Sequence, residues 1–295
     1  MKREIDAIAL GATLFVPANH KNLQDILSRK RFTNLRSLVI DTEDGLHVKE
    51  LERVLERIKI LLDDYQSSEL FVFIRPKNTE VLQKLLHVKG IEKCDGFILP
   101  KFSLENMSGY LDLLQRHDFY IMPSIEGEEL FNPQSLHLIK NYLDQFKEKI
   151  LLIRFGAEDM FRQLGLRRSQ TLSIYEMLAP SLVMANLLTV FKASGYDISA
   201  PVYPFYKDEL GFIAEVKRDL LEGFISKTVI HPSQIDLSEK LYAVTSSELI
   251  SAQKILETTQ KSLFGENGVM HEVPTQSPWA KKILARYRYY GATDT

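Results

Sequence analysis

The chain has 295 residues, 45% hydrophobic and 26% charged, with 37 basic against 39 acidic side chains and a formal charge of −2. A chain of this size and balance buries a sizeable core, which excludes wholesale disorder, and its near-neutral charge gives no general attraction to nucleic acid or to an anionic membrane. The single cysteine, Cys94, excludes an intrachain disulfide framework and a cysteine-rich zinc site. The acidic N-terminal segment, with no long apolar run after it, predicts neither a signal peptide nor a membrane span, so a cytoplasmic protein is expected.

Eight short, β-branched apolar runs recur at residues 13–16, 37–40, 70–74, 96–99, 119–125, 150–155, 200–203 and 228–230. Continuous runs of this kind suit parallel strands covered by helices on the outside. Helix-period segments alternate with them at 22–32, 48–63, 79–88, 104–115, 133–146, 172–193 and 208–221. Val81, Leu82, Leu85 and Leu86 form one apolar stripe. Leu178, Leu182, Asn186 and Val190, with their neighbours, predict a longer and more apolar helix with Pro180 near its start, where it breaks or kinks the segment. Eight strands alternating with helices predict a (β/α)₈ TIM barrel over residues 1–235, with a doubly wound open sheet as the runner-up. After the eighth run, a helix at 247–261, the turn Gly265-Glu266-Asn267-Gly268 and a basic helix at 279–290 predict a C-terminal helical extension over 236–295, packed on the barrel or on a neighbouring subunit.

In a barrel the active site is built at the C-terminal ends of the strands. Here those ends carry Asp41-Thr42-Glu43-Asp44, Arg75, Lys101, Glu126, Glu158-Asp159 and His231. Singly, each is explained as a loop charge or a helix cap; together they predict one polar mouth. Glu126 and Asp159, from adjacent strands, are the best metal pair, because Mg²⁺ takes few protein carboxylates and keeps positions for water and substrate oxygens. The seven histidines show no pair at helical ligand spacing, so zinc has weaker support. Arg75, at the end of Phe71-Val72-Phe73-Ile74, is either an anion clamp or a structural partner of the strand-two carboxylates.

At these residues the chain resembles the citrate lyase beta-subunit-like branch of the HpcH/HpaI aldolase and citrate lyase superfamily. The resemblance covers about residues 12–258. It runs in order through Leu14-Phe15-Val16-Pro17-Ala18-Asn19, Ile40-Asp41-Thr42-Glu43-Asp44-Gly45, Ile74-Arg75-Pro76-Lys77-Asn78 and Leu99-Pro100-Lys101. It continues through Ser124-Ile125-Glu126-Gly127 with Leu130-Phe131-Asn132, Phe155-Gly156-Ala157-Glu158-Asp159-Met160, and Lys227-Thr228-Val229-Ile230-His231-Pro232-Ser233-Gln234-Ile235.

The resemblance implies a Mg²⁺-dependent lyase, with Mn²⁺ as the alternative ion, acting on a carbon–carbon bond beside a carbonyl. Its substrate is then a 2-hydroxy acid or its acyl thioester, with coenzyme A as a carrier, and its products a 2-oxo acid and an enolate-derived compound. Carried over by position, Glu126 and Asp159 are the metal ligands. Arg75, Glu43 and Asp44 are the catalytic residues, and Asp41, Lys101, Ala157 and Glu158 line the substrate beside Arg75. The resemblance also implies a homo-oligomer, a trimer or hexamer. Ala18 stands where the opening motif has glycine, no arginine follows Asn19, and Tyr203-Pro204-Phe205-Tyr206 makes a bulky end to strand seven; core packing under the next helix is its simpler explanation. A thioester hydrolase on the same scaffold and a non-catalytic protein that binds oxo acid and metal are the alternatives.

Overall fold

The structure, a computed structural model, describes residues 3–43, 50–66, 69–258, 262–266 and 268–294. Each predicted apolar run supplies a strand of one parallel sheet: β1 (Ala12–Pro17), β2 (Ser37–Asp41), β3 (Phe71–Arg75), β4 (Gly96–Leu99), β5 (Tyr120–Ile125), β6 (Arg154–Phe155), β7 (Ser199–Ala200) and β8 (Ser226–Val229). Their order around the wall is β6-β5-β4-β3-β2-β1-β8-β7. A parallel bridge between Ile153 and Ile198 joins the two ends, with Ile153 N–H donating to Asp197 O at 2.8 Å and Ser199 N–H to Ile153 O at 2.9 Å. The wall therefore closes as a TIM barrel and not as an open sheet.

Two strands are shorter than the sequence predicts. The run 150–155 supplies only Arg154–Phe155 to the ladder, plus isolated bridges at Ile150 and Ile153, and strand seven is Ser199–Ala200 where 200–203 is expected. Apolar character reports burial, which these segments have, whereas a ladder also needs register with both neighbours.

The helices between strands bury the faces their sequences mark. In the helix Leu51–Asp64 these are Val54, Leu55, Ile58, Leu61 and Leu62. In the helix Thr79–Leu85 the stripe Val81, Leu82 and Leu85 is buried, and the Asn78 side chain accepts the Val81 N–H at 3.0 Å to start the helix. The segment 172–193 differs from expectation. Its α-helix is only Leu178–Leu187, followed by a π-helical turn at Leu188–Lys192. The buried side is Pro180, Val183, Met184 and Leu187, while Leu178 is 87% and Leu182 60% exposed. Pro180 falls in the first turn, where its missing N–H has no helical partner to lose, so it does not kink the helix.

Inside the barrel, the end that the strands enter is closed by hydroxyls. Ser37 Oγ donates to Thr13 Oγ1 at 2.7 Å, and Thr13 Oγ1 lies 3.1 Å from Ser226 Oγ. Outside it, Lys227 points the other way from Ser226 and is covered by the helix Glu209–Glu222. Its Nζ donates to Glu215 Oε1 at 2.9 Å and to Asp219 Oδ2 at 2.7 Å. Tyr175 OH donates to Asp219 Oδ1 at 2.5 Å, and Arg168 pairs with Glu215.

The chain divides into two compact units, Met1–Ile235 and Asp236–Thr295. In the second, the helices Ser246–Glu257 and Val273–Tyr290 bury Val244, Ala252, Ile255, Ala280 and Ile283 between them. A capping box of Thr245 and Glu248 starts the first of these helices. This unit also holds an antiparallel hairpin, Leu263–Glu266 with Val269–Glu272, beyond the expected helices. Among the described residues no helix is long and apolar enough to cross a membrane.

Candidate active site

Side chains of a strand alternate between its two faces, so one parity of each strand faces the lumen. That parity explains the cavity of about 500 Å³ at the mouth. Phe15 and Pro17 line it from β1, Asp41 from β2, Arg75 from β3, Ser124 from β5 with Glu126 just beyond its end, Arg154 from β6, and Thr228 from β8 with Ile230 just beyond its end. Val202 and Pro204, after β7, and the segment from Phe155 to Asp159 complete the wall.

Register decides the central ion cluster. Asp41 and Arg75 are partners across β2 and β3. The guanidinium grips the carboxylate with two parallel bonds, Nε to Oδ1 and Nη2 to Oδ2, both 2.7 Å. Its Nη1 lies 2.9 Å from Glu43 Oε2. Arg75 is thus held by two carboxylates, which is the structural pairing anticipated beside the clamp. Lys101 Nζ donates to Glu43 Oε1 at 2.6 Å, and this bond holds the ammonium above its ordinary pKa. The Lys101 backbone adopts φ of +47°, a conformation costly for a side chain of this size. From there its N–H donates to Glu126 Oε1, so one residue ties the strand-two carboxylate to the strand-five carboxylate.

Glu126 is buried, and burial, followed by the Glu43 charge, pushes its carboxyl well above the ordinary carboxylate range. Gly156 is glycine because a Cβ there collides with the Glu126 side chain. Glu158 and Asp159 do not extend strand six. They occupy the first turn of the helix Ala157–Gln163, where acidic residues suit the helix dipole. Asp159 Oδ1 accepts from Arg162 Nη2 at 2.5 Å, its carboxylate still lining the cavity, and Glu158 is exposed at the rim. Asp44 lies outside the described residues. His231 is half-buried, with Nδ1 2.8 Å from Ser233 Oγ and its ring stacked on Tyr206 at 4.5 Å. Tyr203 serves the core as expected: it is buried edge-on to Phe212 and donates to Asp208 Oδ2 at 2.6 Å.

Arg154, Ser124 and Gln163 join the site without a signal in the sequence pattern. Gln163 Nε2 donates to Glu126 O at 2.7 Å. Arg154 sits in an apolar run that reads as buried strand, and only the alternation about Phe155 indicates that it faces inward. Among the described residues no group of three or more His, Cys, Asp and Glu side chains is placed to hold a metal. Glu126 and Asp159, which both line the cavity, are the two carboxylates here that could serve as protein donors to a metal, with its other positions left to water or substrate oxygens.

The family model described as "C-C_Bond_Lyase of the TIM-Barrel fold" matches residues 4–292. The chain belongs to this family of carbon–carbon bond lyases. Among curated relatives, citrate lyase subunit beta of Haemophilus influenzae is 25% identical over 92% of this chain and 95% of its own length. The (3S)-malyl-CoA thioesterase of Cereibacter sphaeroides is 31% identical over 82% of this chain and 80% of its own length. The structure of CitE from Mycobacterium tuberculosis, in complex with magnesium, acetoacetate and coenzyme A, superposes with a TM-score of 0.68 at 20% identity. It covers 94% of this chain and 97% of that one, and supports the barrel fold of this family member.

Proposed function

We propose that this lyase cleaves or forms the bond between a 2-oxo acid and an enolate-derived partner, taking a 2-hydroxy acid or its acyl thioester as the other side of the equilibrium. The observation that carries the reading is the gathering of Glu43, Arg75, Lys101, Glu126 and Asp159 around one cavity mouth. Glu126 and Asp159 fit Mg²⁺, or Mn²⁺ in its place. Both are hard oxygen donors, and the raised proton affinity of buried Glu126 is the state that a bound cation relieves. When bound, the ion supplies Lewis-acid polarisation of the oxygens of the acid. Arg75, fixed by Asp41 and Glu43, presents its charge to the oxyanion that develops as the bond breaks. Glu43, held by Arg75 and Lys101, takes the hydroxyl proton, and Asp44 follows it in the chain. Lys101, Ala157 and Glu158 line the substrate. The enzyme is read as a cytoplasmic homo-oligomer, with residues 236–295 an extension of the barrel at 1–235.

A screen of citryl, citramalyl and malyl thioesters and the free acids for Mg²⁺-dependent release of a 2-oxo acid tests the reading. Release that is lost in Glu126→Gln supports it, and no release from any of them overturns it. Thioester hydrolysis is a second reading, favoured by the 31% identity to the malyl-CoA thioesterase. Free coenzyme A appearing without an oxo acid selects it.

A further inference from the structure

Among the described residues of the barrel unit, three basic side chains are buried: Arg154, Arg168 and Lys227. Lys227 has two carboxylates and Arg168 has one. Arg154, 3% exposed, makes no ion pair among the described residues. Its Nη2 donates to Thr228 Oγ1 at 2.6 Å, and its Nη1 lies 3.9 Å from Met122 Sδ. Burial, and then the Arg75 charge, lower its pKa to about 9. An isolated charge in such surroundings is costly unless something pairs with it.

Three observations place that something in the cavity. Arg154 lines it. Arg75 and Arg154 both lie over the Phe15 ring, at 5.2 and 5.0 Å, so two guanidinium groups share one ring at the floor of a water-accessible space. Ser124, the register partner of Arg154 across β5 and β6, and Thr228 add hydroxyls beside it on the same lining. Arg75 is occupied by Asp41 and Glu43, whereas Arg154 is not.

We infer that Arg154 is the receptor for a second anionic group of the ligand, so that the acid handled here carries a carboxylate at the end remote from the reacting carbonyl. Ser124 precedes Glu126 by two residues on β5, which separates the receptor from the carboxylates at the mouth by roughly 7 Å along the strand. A short dicarboxylic acid spans that distance with one end at the mouth and the other on Arg154. That the ligand is a substrate rests on the lyase reading; the anion site does not.

The test uses the full chain and the variants R154M and R154K. Succinate, which has two carboxylates and no 2-oxo group, and acetate, which has one, are titrated in the presence of Mg²⁺, so that the end at the mouth meets a cation beside the carboxylates of Glu126 and Asp159. Binding is read from the rise in the thermal unfolding midpoint. The inference expects succinate to bind about tenfold more tightly than acetate to the wild type, the equivalent of ~1.4 kcal/mol. It expects that preference to vanish in R154M and to weaken in R154K, which keeps the charge and loses the fork. It also expects ligand-free R154M to unfold no earlier than the wild type, because an unpaired buried charge has been removed. Equal succinate affinity in wild type and R154M, or no succinate preference in the wild type, overturns the inference. Should R154M not fold, an R154K response equal to that of the wild type overturns it. Absence of any Mg²⁺-dependent cleavage alongside an intact succinate response instead overturns the lyase reading and leaves the anion site standing.

Discussion

On the outer face of strand β8, Lys227, Glu215, Asp219 and Arg168 form a cluster of two cations and two anions, in which every cation meets a carboxylate. The remaining guanidinium surface of Arg168 lies near the Phe161 and Tyr203 rings, at 5.7 and 5.8 Å. Within the lumen, Asp41, Glu43, Arg75 and Lys101 are paired just as closely, but Arg154 faces the cavity with a hydroxyl and a thioether for company. Both groups are ion networks in one barrel, the outer one buried throughout and the inner one reaching solvent at Lys101. The outer cluster balances two cations against two anions and fixes a helix to a strand, although Arg168 Nε and Nη1 find no hydrogen-bond partner among the described residues. The inner one leaves Arg154 without any carboxylate among those residues, beside a cavity where a ligand can complete it. A buried charge that lacks a counter-charge and lines a cavity, more than burial or charge alone, marks the functional side.

The same change of residue type on the two sides breaks the comparison most sharply. Lys227→Met leaves Asp219 buried without a cation and Glu215 with Arg168 alone, and a loss of about 3–5 kcal/mol is expected from denaturant unfolding. R154M is expected to lose no stability. If both variants are destabilised alike, the two clusters do the same job. Next in size, Arg75→Lys keeps the charge but loses the two-bond grip on Asp41. Turnover should fall about 10²–10³-fold against a stability loss of about 1–2 kcal/mol; full turnover in this variant makes Arg75 a strut and nothing more. Asp159→Asn should weaken Mg²⁺ binding in calorimetry by at least the roughly 10–100-fold that loss of a mere outer partner costs. Unchanged affinity removes Asp159 from the metal site.

The smallest effect is in pH. Burial pushes the Asp219 carboxyl up to about 6, so the native state keeps a proton that the unfolded chain has released at lower pH. The contribution of this group to stability is therefore greatest at the acid end and falls as pH rises through its ordinary range toward 6. Asp219→Asn should flatten that part of the stability profile. A profile identical to that of the wild type across that window would show that the outer cluster titrates through another member.

The barrel and the addresses of most site residues are legible along the chain, because both follow from local periodicity. A parallel strand buried on both faces must be apolar throughout, and the first polar residue after it must lie at the mouth; that places Asp41, Arg75 and Glu126 without any coordinates. Asp159 is legible in position but not in context, since two residues of strand and a helix start take the place of the six-residue strand its apolar run predicts. The leucines of 178–187 show the same limit: hydrophobicity gives the helix, but which side meets the barrel is set by the neighbours. Pairing is legible only in outline: the strand-two carboxylates are open to Arg75 along the chain, but which of them it meets, and that Lys101 joins them, is not. Arg75 finds Asp41 34 residues away and Lys101 finds Glu43 58 residues away through sheet register and a left-handed turn. Arg154 is hidden in an apolar run whose parity is meaningful only once the lumen exists. The sequence determined where charge could gather, because alternation is a property of the chain. Only the closed barrel decided which charges neutralise one another and which is left open, because that depends on distances between segments that the chain itself does not fix.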